Sequence, residues 1–193
     1  MAITTTIDGI QIEWVKLEAE MKRVMRLWRR NAQAKLRRED KNSTGTLTRS
    51  MKTIITQENG QLIADITPRV NYWQFVDGGV RGARTSPYAR QGENPSGGTP
   101  FRFKDKKPPL NVIKDWMKQR GIKNRDSKGR FKQGDGLAYA IQNAIFSRGI
   151  KPTFFLSDTG KRIEAKYANS IATAYAEDFG EAIAKYIDDN QAE

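Results

Sequence analysis

The stretch TLTRSMKTIITQENGQLIADITP, residues 46–68, decides the fold. Thr46 to Thr56 is rich in Thr, Ile, Leu and Met, a composition that suits extended chain. Asn59-Gly60 follows, the dipeptide that most readily supplies the two positive-φ positions of a tight hairpin turn. In the return segment Gln61 to Thr67, Leu62, Ala64 and Ile66 fall on one face and Ile63 and Asp65 on the other, and Pro68 ends it. An antiparallel hairpin with one buried face is expected. Val70 to Val76 (VNYWQFV) reads as a third extended or edge segment, its aromatics Tyr72, Trp73 and Phe75 suiting a strand that packs on a helix.

On the N-terminal side of the hairpin the period changes from two to 3.6. Trp14, Leu17, Met21, Val24, Trp28, Ala32 and Leu36 recur at steps of three or four. With Asp8-Gly9 taken as a start signal, this predicts a helix from about Ile10 to Arg38. Its outer face carries Arg23, Arg30 and Arg37 at seven-residue spacing, with Arg26 beside them. Two readings stay open for this face: a solvated surface, or one that meets DNA or an acidic partner.

On the C-terminal side, Asp77 to Thr99 is glycine-rich, contains Arg81, Arg84, Tyr88 and Arg90, and has almost no aliphatic residues. Such a segment cannot pack a core of its own and reads as a functional arm. Pro100 to Phe103 (PFRF) alternates and is expected to rejoin the sheet. Pro108-Pro109 opens a helix with Leu110, Ile113, Trp116 and Met117 inward, stopped by Gly121. Lys123 to Gly136 is a basic loop. Leu137 to Arg148 is a helix with Leu137, Ala140, Ile141, Ala144 and Ile145 expected inward. Thr153 to Leu156 (TFFL) is a short strand or anchor, and a last helix runs to about Asp188 along Ile163, Tyr167, Ile171, Ala174, Phe179 and Ile183. The four tryptophans, Trp14, Trp28, Trp73 and Trp116, are expected in the core. The class is α+β: a small twisted antiparallel sheet flanked by a long N-terminal helix and two or three further helices. No repeat and no clear boundary is found, so one domain over residues 1–193 is expected: helix about 10–38, sheet about 45–103 with the arm loop 77–99, helical part about 109–189.

The 193 residues carry a formal net charge of +12, and neither cysteine nor histidine. Disulfides, thiolate metal sites and the commonest general base are thereby excluded. Lys22 to Lys41 and Phe101 to Lys132 are strongly basic, whereas Ser157 to Glu193 has eight acids against four bases. Polyanions or acidic proteins are the partners such a charge favours, and the opposite charges of the middle and the end would allow head-to-tail pairing of copies. No apolar run is long enough for a signal peptide or a membrane span, so a soluble protein made in the cytoplasm, with no membrane partner, is expected. Asp105-Lys106-Lys107 and Asp126-Ser127-Lys128 superficially resemble carboxylate–lysine nuclease sites but lack a second acid at useful spacing. No catalytic residue, cofactor or metal is expected, and any nucleic-acid contact would be to phosphates.

Several short pieces in fixed order resemble one family. They are Gly45-x-Leu47-x-x-Ser50, Tyr72-x-x-Phe75-Val76-Asp77-x-Gly79, Pro100-Phe101, and Ile150-Lys151-Pro152-Thr153-Phe154-Phe155 before a long helix. Together they resemble the neck and tail-completion (head–tail joining) proteins of tailed bacteriophages. The stretch from Ile113-x-x-Trp116 to Ile122, with the following helix, is similar to an insertion in longer members. The resemblance implies a virion structural protein in the neck or tail, forming a homo-oligomeric ring (hexamer or dodecamer) around the DNA channel between the portal–connector and the tail tube. It also implies that the arm, with Arg81, Arg84, Tyr88 and Arg90, reaches a neighbouring subunit. The alternatives weighed from the residues are a non-sequence-specific nucleic-acid-binding protein and a metal-dependent nuclease.

Overall fold

A computed structural model describes residues 3–41, 44–58, 61–84, 99–125, 128–130 and 133–191. The fold is α+β, as expected, with six helices and three two-stranded antiparallel ladders among the described residues. The antiparallel pairing is thus divided among three ladders instead of forming one continuous sheet. The chain divides into two compact units, each built from separated stretches: Met1–Ala34, Ser50–Arg69 and Leu156–Glu193 form the first, Lys35–Arg49 and Val70–Phe155 the second.

The first unit opens with a hairpin of β1 (Thr4–Ile7) and β2 (Ile10–Glu13). Its two turn residues, Asp8 (φ 49°) and Gly9 (φ 83°), both have positive φ, the requirement of a type I′ turn. The long helix α1 therefore starts at Val15, not near Ile10, and runs to Arg38. Asp8-Gly9 is a hairpin signal, and Ile10-Gln11-Ile12-Glu13 alternates with period two, which places Ile12 against Thr5 with both buried. Along α1, Leu17, Val24, Ala32 and Leu36 are buried and Met21 and Trp28 half-buried, as the periodicity predicts, and Met25 joins them.

The central hairpin pairs β3 (Met51–Glu58) with β4 (Gln61–Pro68) from Met51↔Pro68 to Glu58↔Gln61. Leu62, Ala64 and Ile66 face inward, while Ile63 and Ile54 are exposed. The turn Asn59-Gly60 lies outside the described residues. Thr46–Ser50, expected as strand, is the short helix α2. Gly45 (φ 71°) turns the chain, and its carbonyl accepts the Arg49 N–H and the Thr48 hydroxyl, so local hydrogen bonds override β-propensity.

The last helix, α6 (Ser157–Gln191), about 52 Å long, buries Ile163, Ala174 and Asp178. The core of this unit is Ile12, Trp14 and Leu17, with Leu62, Ile171 and Phe179 packed on it. Trp14 donates to the Thr5 hydroxyl at 2.8 Å and stacks on Tyr175 at 5.0 Å, so both its polar and its apolar parts are partnered.

In the second unit, Val70–Val76 is not a strand. It is a turn leading into helix α3 (Trp73–Gly78). Strand β5 (Val80–Arg81) pairs with β6 (Gly149–Ile150). Helix α4 (Leu110–Gln119) begins after the prolines and ends before Gly121 (φ 63°). It packs on α5 (Gly136–Arg148), where Ile113 and Ala138 are buried and Gln142 donates to the Pro108 carbonyl at 2.7 Å. Ala140 and Ala144, expected inward, are exposed, because α5 is apolar around most of its circumference and its sequence does not identify the inner face. Trp116 is also exposed, at 39%, whereas Trp14 is buried and Trp28 and Trp73 are half-buried.

Candidate assembly surfaces

Three of the four sequence pieces meet in the second unit. The carbonyls ending α3 are captured by the segment before α6. Val76 O accepts the Thr153 hydroxyl at 2.8 Å, and Asp77 O accepts the Phe154 N–H at 2.9 Å and the Thr153 N–H at 3.1 Å. Thr153 is 2% exposed and Phe155 fully buried, so TFFL acts as an anchor, and Phe154 takes a positive φ of 49° to make the turn. This capture is the physical reason that Tyr72–Asp77 is helical. The orphan carbonyls of a short helix find partners far away in sequence.

The piece Pro100-Phe101 joins the same place. Phe75 and Phe101 pack edge to face at 4.5 Å. Arg81 N–H donates to Phe101 O, and Phe103 N–H donates to Arg81 O, both at 2.9 Å. PFRF thus rejoins β5 through a bridge between Arg81 and Arg102, rather than the β3–β4 hairpin. The Thr99 hydroxyl donates to Gly79 O at 2.8 Å. Residues 77–84, read from sequence as part of the loop, are structured, and the two flanks of residues 85–98 are pinned to each other. Glycine makes the close approach possible. A Cβ on Gly82 would collide with the Ser147 carbonyl, and one on Gly149 (φ 93°) with the Val80 carbonyl.

Of the four arm residues, Arg81 and Arg84 are exposed at this base, and the structure brings them together with Arg102, whose guanidinium donates to Ala83 O. Tyr88 and Arg90 lie outside the described residues.

The arginine face of α1 is exposed at Arg23, Arg26, Arg30 and Arg37, which at about 100° per residue fall within about 60° of the helix circumference. Arg23 is engaged inside the chain. It grips Glu20 through Nε at 2.7 Å and a terminal nitrogen at 2.6 Å, and lies 4.9 Å over the Tyr167 ring. The Arg23 hydrogen bonds, helped by Ser170, hold Glu20 down at a pKa of about 2, against the desolvation that would raise it, and Glu20 in turn raises that of Arg23. Beside it, Lys22 lowers the pKa of Glu18.

Sequence reasoning missed Asp178. Its carboxylate, 3% exposed, accepts the backbone N–H groups of Leu17 at 2.9 Å and Lys16 at 3.1 Å. It caps α1 from another helix, satisfying two of the donors that a helix start leaves open. Next to it Glu181 and then Glu177 raise the pKa of Lys16, which they contact at 2.6 and 3.1 Å. The available signal was an acid within the inward sector of α6, on the face of Ala174 and Ile171. Among the described residues no three or more His, Cys, Asp or Glu side chains group so as to hold a metal ion, and no helix is long and apolar enough to cross a membrane. No family model, curated protein or solved structure matches the chain.

Proposed function

We propose that the chain is a virion structural protein, a subunit of an oligomeric ring at the head–tail junction of a tailed bacteriophage. In this reading it joins the portal–connector to the tail around the DNA channel, as a neck, tail-completion or tail-terminator component. The observation that carries the reading is the convergence of Tyr72–Gly79, Pro100-Phe101 and Ile150–Phe155 at one hydrogen-bonded base, from which residues 85–98 leave and to which they return. A rigid base with a long excursion is the geometry of an arm that reaches a neighbour, and the chemistry there is hydrogen bonding and packing, suited to a structural role and not to catalysis.

The test is the mass of the purified protein by light scattering, alone and with connector and tail-tube proteins. A ring, or entry into a ring only with those partners, supports the reading; a chain indifferent to them sinks it. The second reading, a protein that binds nucleic acid without sequence preference, is favoured by the exposure of Arg26, Arg30 and Arg37 on a chain of net charge +12. It requires DNA binding by the isolated protein with a steep salt dependence.

A further inference from the structure

The side of α6 turned away from its own core has the composition of an interface. Ala165, Ala168, Ala172, Phe179, Ile183 and Tyr186 recur at coiled-coil steps and lie within about 60° of the helix circumference, opposite the buried Ile163, Ala174 and Asp178. The three alanines and Tyr186 are exposed, Tyr186 at 44%, and Phe179 and Ile183 are half-buried. Every charged residue between Ala165 and Tyr186, namely Lys166, Glu177, Asp178, Glu181 and Lys185, lies outside this sector. A helix that faces only water carries its charges outward. Here they sit toward the flanks and the core, where Glu177 and Glu181 hold Lys16 and Asp178 caps α1. Loss of charge with retention of aromatic residues is the mark of an interface centre.

We infer that this face pairs with the same face of a second copy, with the two α6 helices antiparallel. Two independent segregations along the helix select that occupant. The first is size: the small residues occupy the first half of the stripe and the bulky ones the second half. A register that sets Ala165, Ala168 and Ala172 against Tyr186, Ile183 and Phe179 of the other copy fills each gap with a side chain, whereas parallel pairing would put rings on rings and leave voids between alanines. The second is charge: Lys161, Arg162 and Lys166 lie in the first turns, and Asp188 and Asp189 in the last. Antiparallel packing brings the basic end of each helix to the acidic end of the other and opposes their macrodipoles. The interface is isologous, so each complementary contact occurs twice. The inference does not rest on the ring reading above.

The experiment uses the full chain. Sedimentation equilibrium of the wild type is expected to show a dimer, and Ala172→Glu, a change at an exposed position, to weaken it by about tenfold or more by placing a carboxylate in the seam while the circular dichroism spectrum stays unchanged. The chain has no cysteine, so orientation can be read by oxidation of single-cysteine variants. Ala176→Cys, beside the two-fold axis, cross-links to itself, whereas Ala168→Cys, about 22 Å from its copy, does not. A wild-type monomer at about 0.1 mM, or self-cross-linking of Ala168→Cys, overturns the inference. So does a larger assembly that Ala172→Glu leaves intact, and that outcome would leave the ring reading standing.

Discussion

Replacement of Asp178 by alanine should loosen the first unit at the start of α1. The carboxylate is 3% exposed and holds two backbone N–H groups at 2.9 and 3.1 Å. Leu17 is 5% exposed, so its N–H has no ready access to water once the acceptor is removed, and an unsatisfied buried donor costs about 1–3 kcal/mol. Lys16 is exposed, and water can replace the acceptor there at little cost. Loss of a negative charge at a helix N-terminus adds about 0.3–1 kcal/mol. The expected destabilisation is therefore about 2–4 kcal/mol, and a midpoint near 3 kcal/mol corresponds to a fall of about 6–12 °C in melting temperature for a chain of this size. Asp178→Asn keeps one acceptor and should cost about half as much. Urea and thermal unfolding give the global value, and backbone amide exchange at Lys16 and Leu17 gives the local one. A loss below about 0.5 kcal/mol with unchanged exchange at both amides would refute the capping argument.

Three further outcomes are expected. Gly82→Ala should destabilise the second unit by about 1–3 kcal/mol, since its Cβ meets the Ser147 carbonyl, and an unaltered unfolding midpoint would count against the close approach described. Replacing residues 85–98 by a short linker should preserve the melting temperature within a few degrees, because Thr99 and Gly79, and Arg81 and Phe101, already hold the flanks together, while assembly with partners is lost; an unfolded variant would contradict this. Glu20 has its folded pKa lowered to about 2 from an ordinary 4.5, so its contribution is complete above about pH 5 and is lost as pH falls toward 2. The melting temperature should decline over that window, by an amount worth about 1 kcal/mol or less, and Glu20→Gln should flatten that part of the profile.

The parts legible in the sequence are those in which neighbours along the chain fix the structure. The alternation in Gln61–Thr67 identified the buried face of β4, and the three-and-four spacing from Leu17 to Leu36 identified that of α1. The misreadings occur where distant groups decide. Tyr72–Asp77 has the aromatic composition of a strand, yet its carbonyls are claimed by Thr153 and Phe154, 77 residues away in the case of Val76 and Thr153. Asp8-Gly9 stood before a helical pattern that Ile10 happened to fit, so a four-residue strand was absorbed into the helix. Arg81 and Arg84 were read as arm, but the backbone of Arg81 pairs on both sides, which no local pattern announces.

The net charge of +12 illustrates the same limit in electrostatic form. Read along the chain, the basic α1 and the acidic α6 invite pairing between copies. In the folded first unit some of that attraction is used within one molecule: Glu177 and Glu181 hold Lys16, Asp178 holds the first turn of α1, and Glu20 holds Arg23. A negative charge at the start of a helix and a cation beside it are stabilising only while the two helices stay together, so these contacts fix α6 on α1. Once α6 is fixed by its charged flank, its opposite side is determined too, and that side is the uncharged stripe of Ala165, Ala168 and Ala172 running into Phe179, Ile183 and Tyr186. The charges that a sequence reading assigns to a partner thus orient the helix, and the surface offered to a second copy is the one without charge.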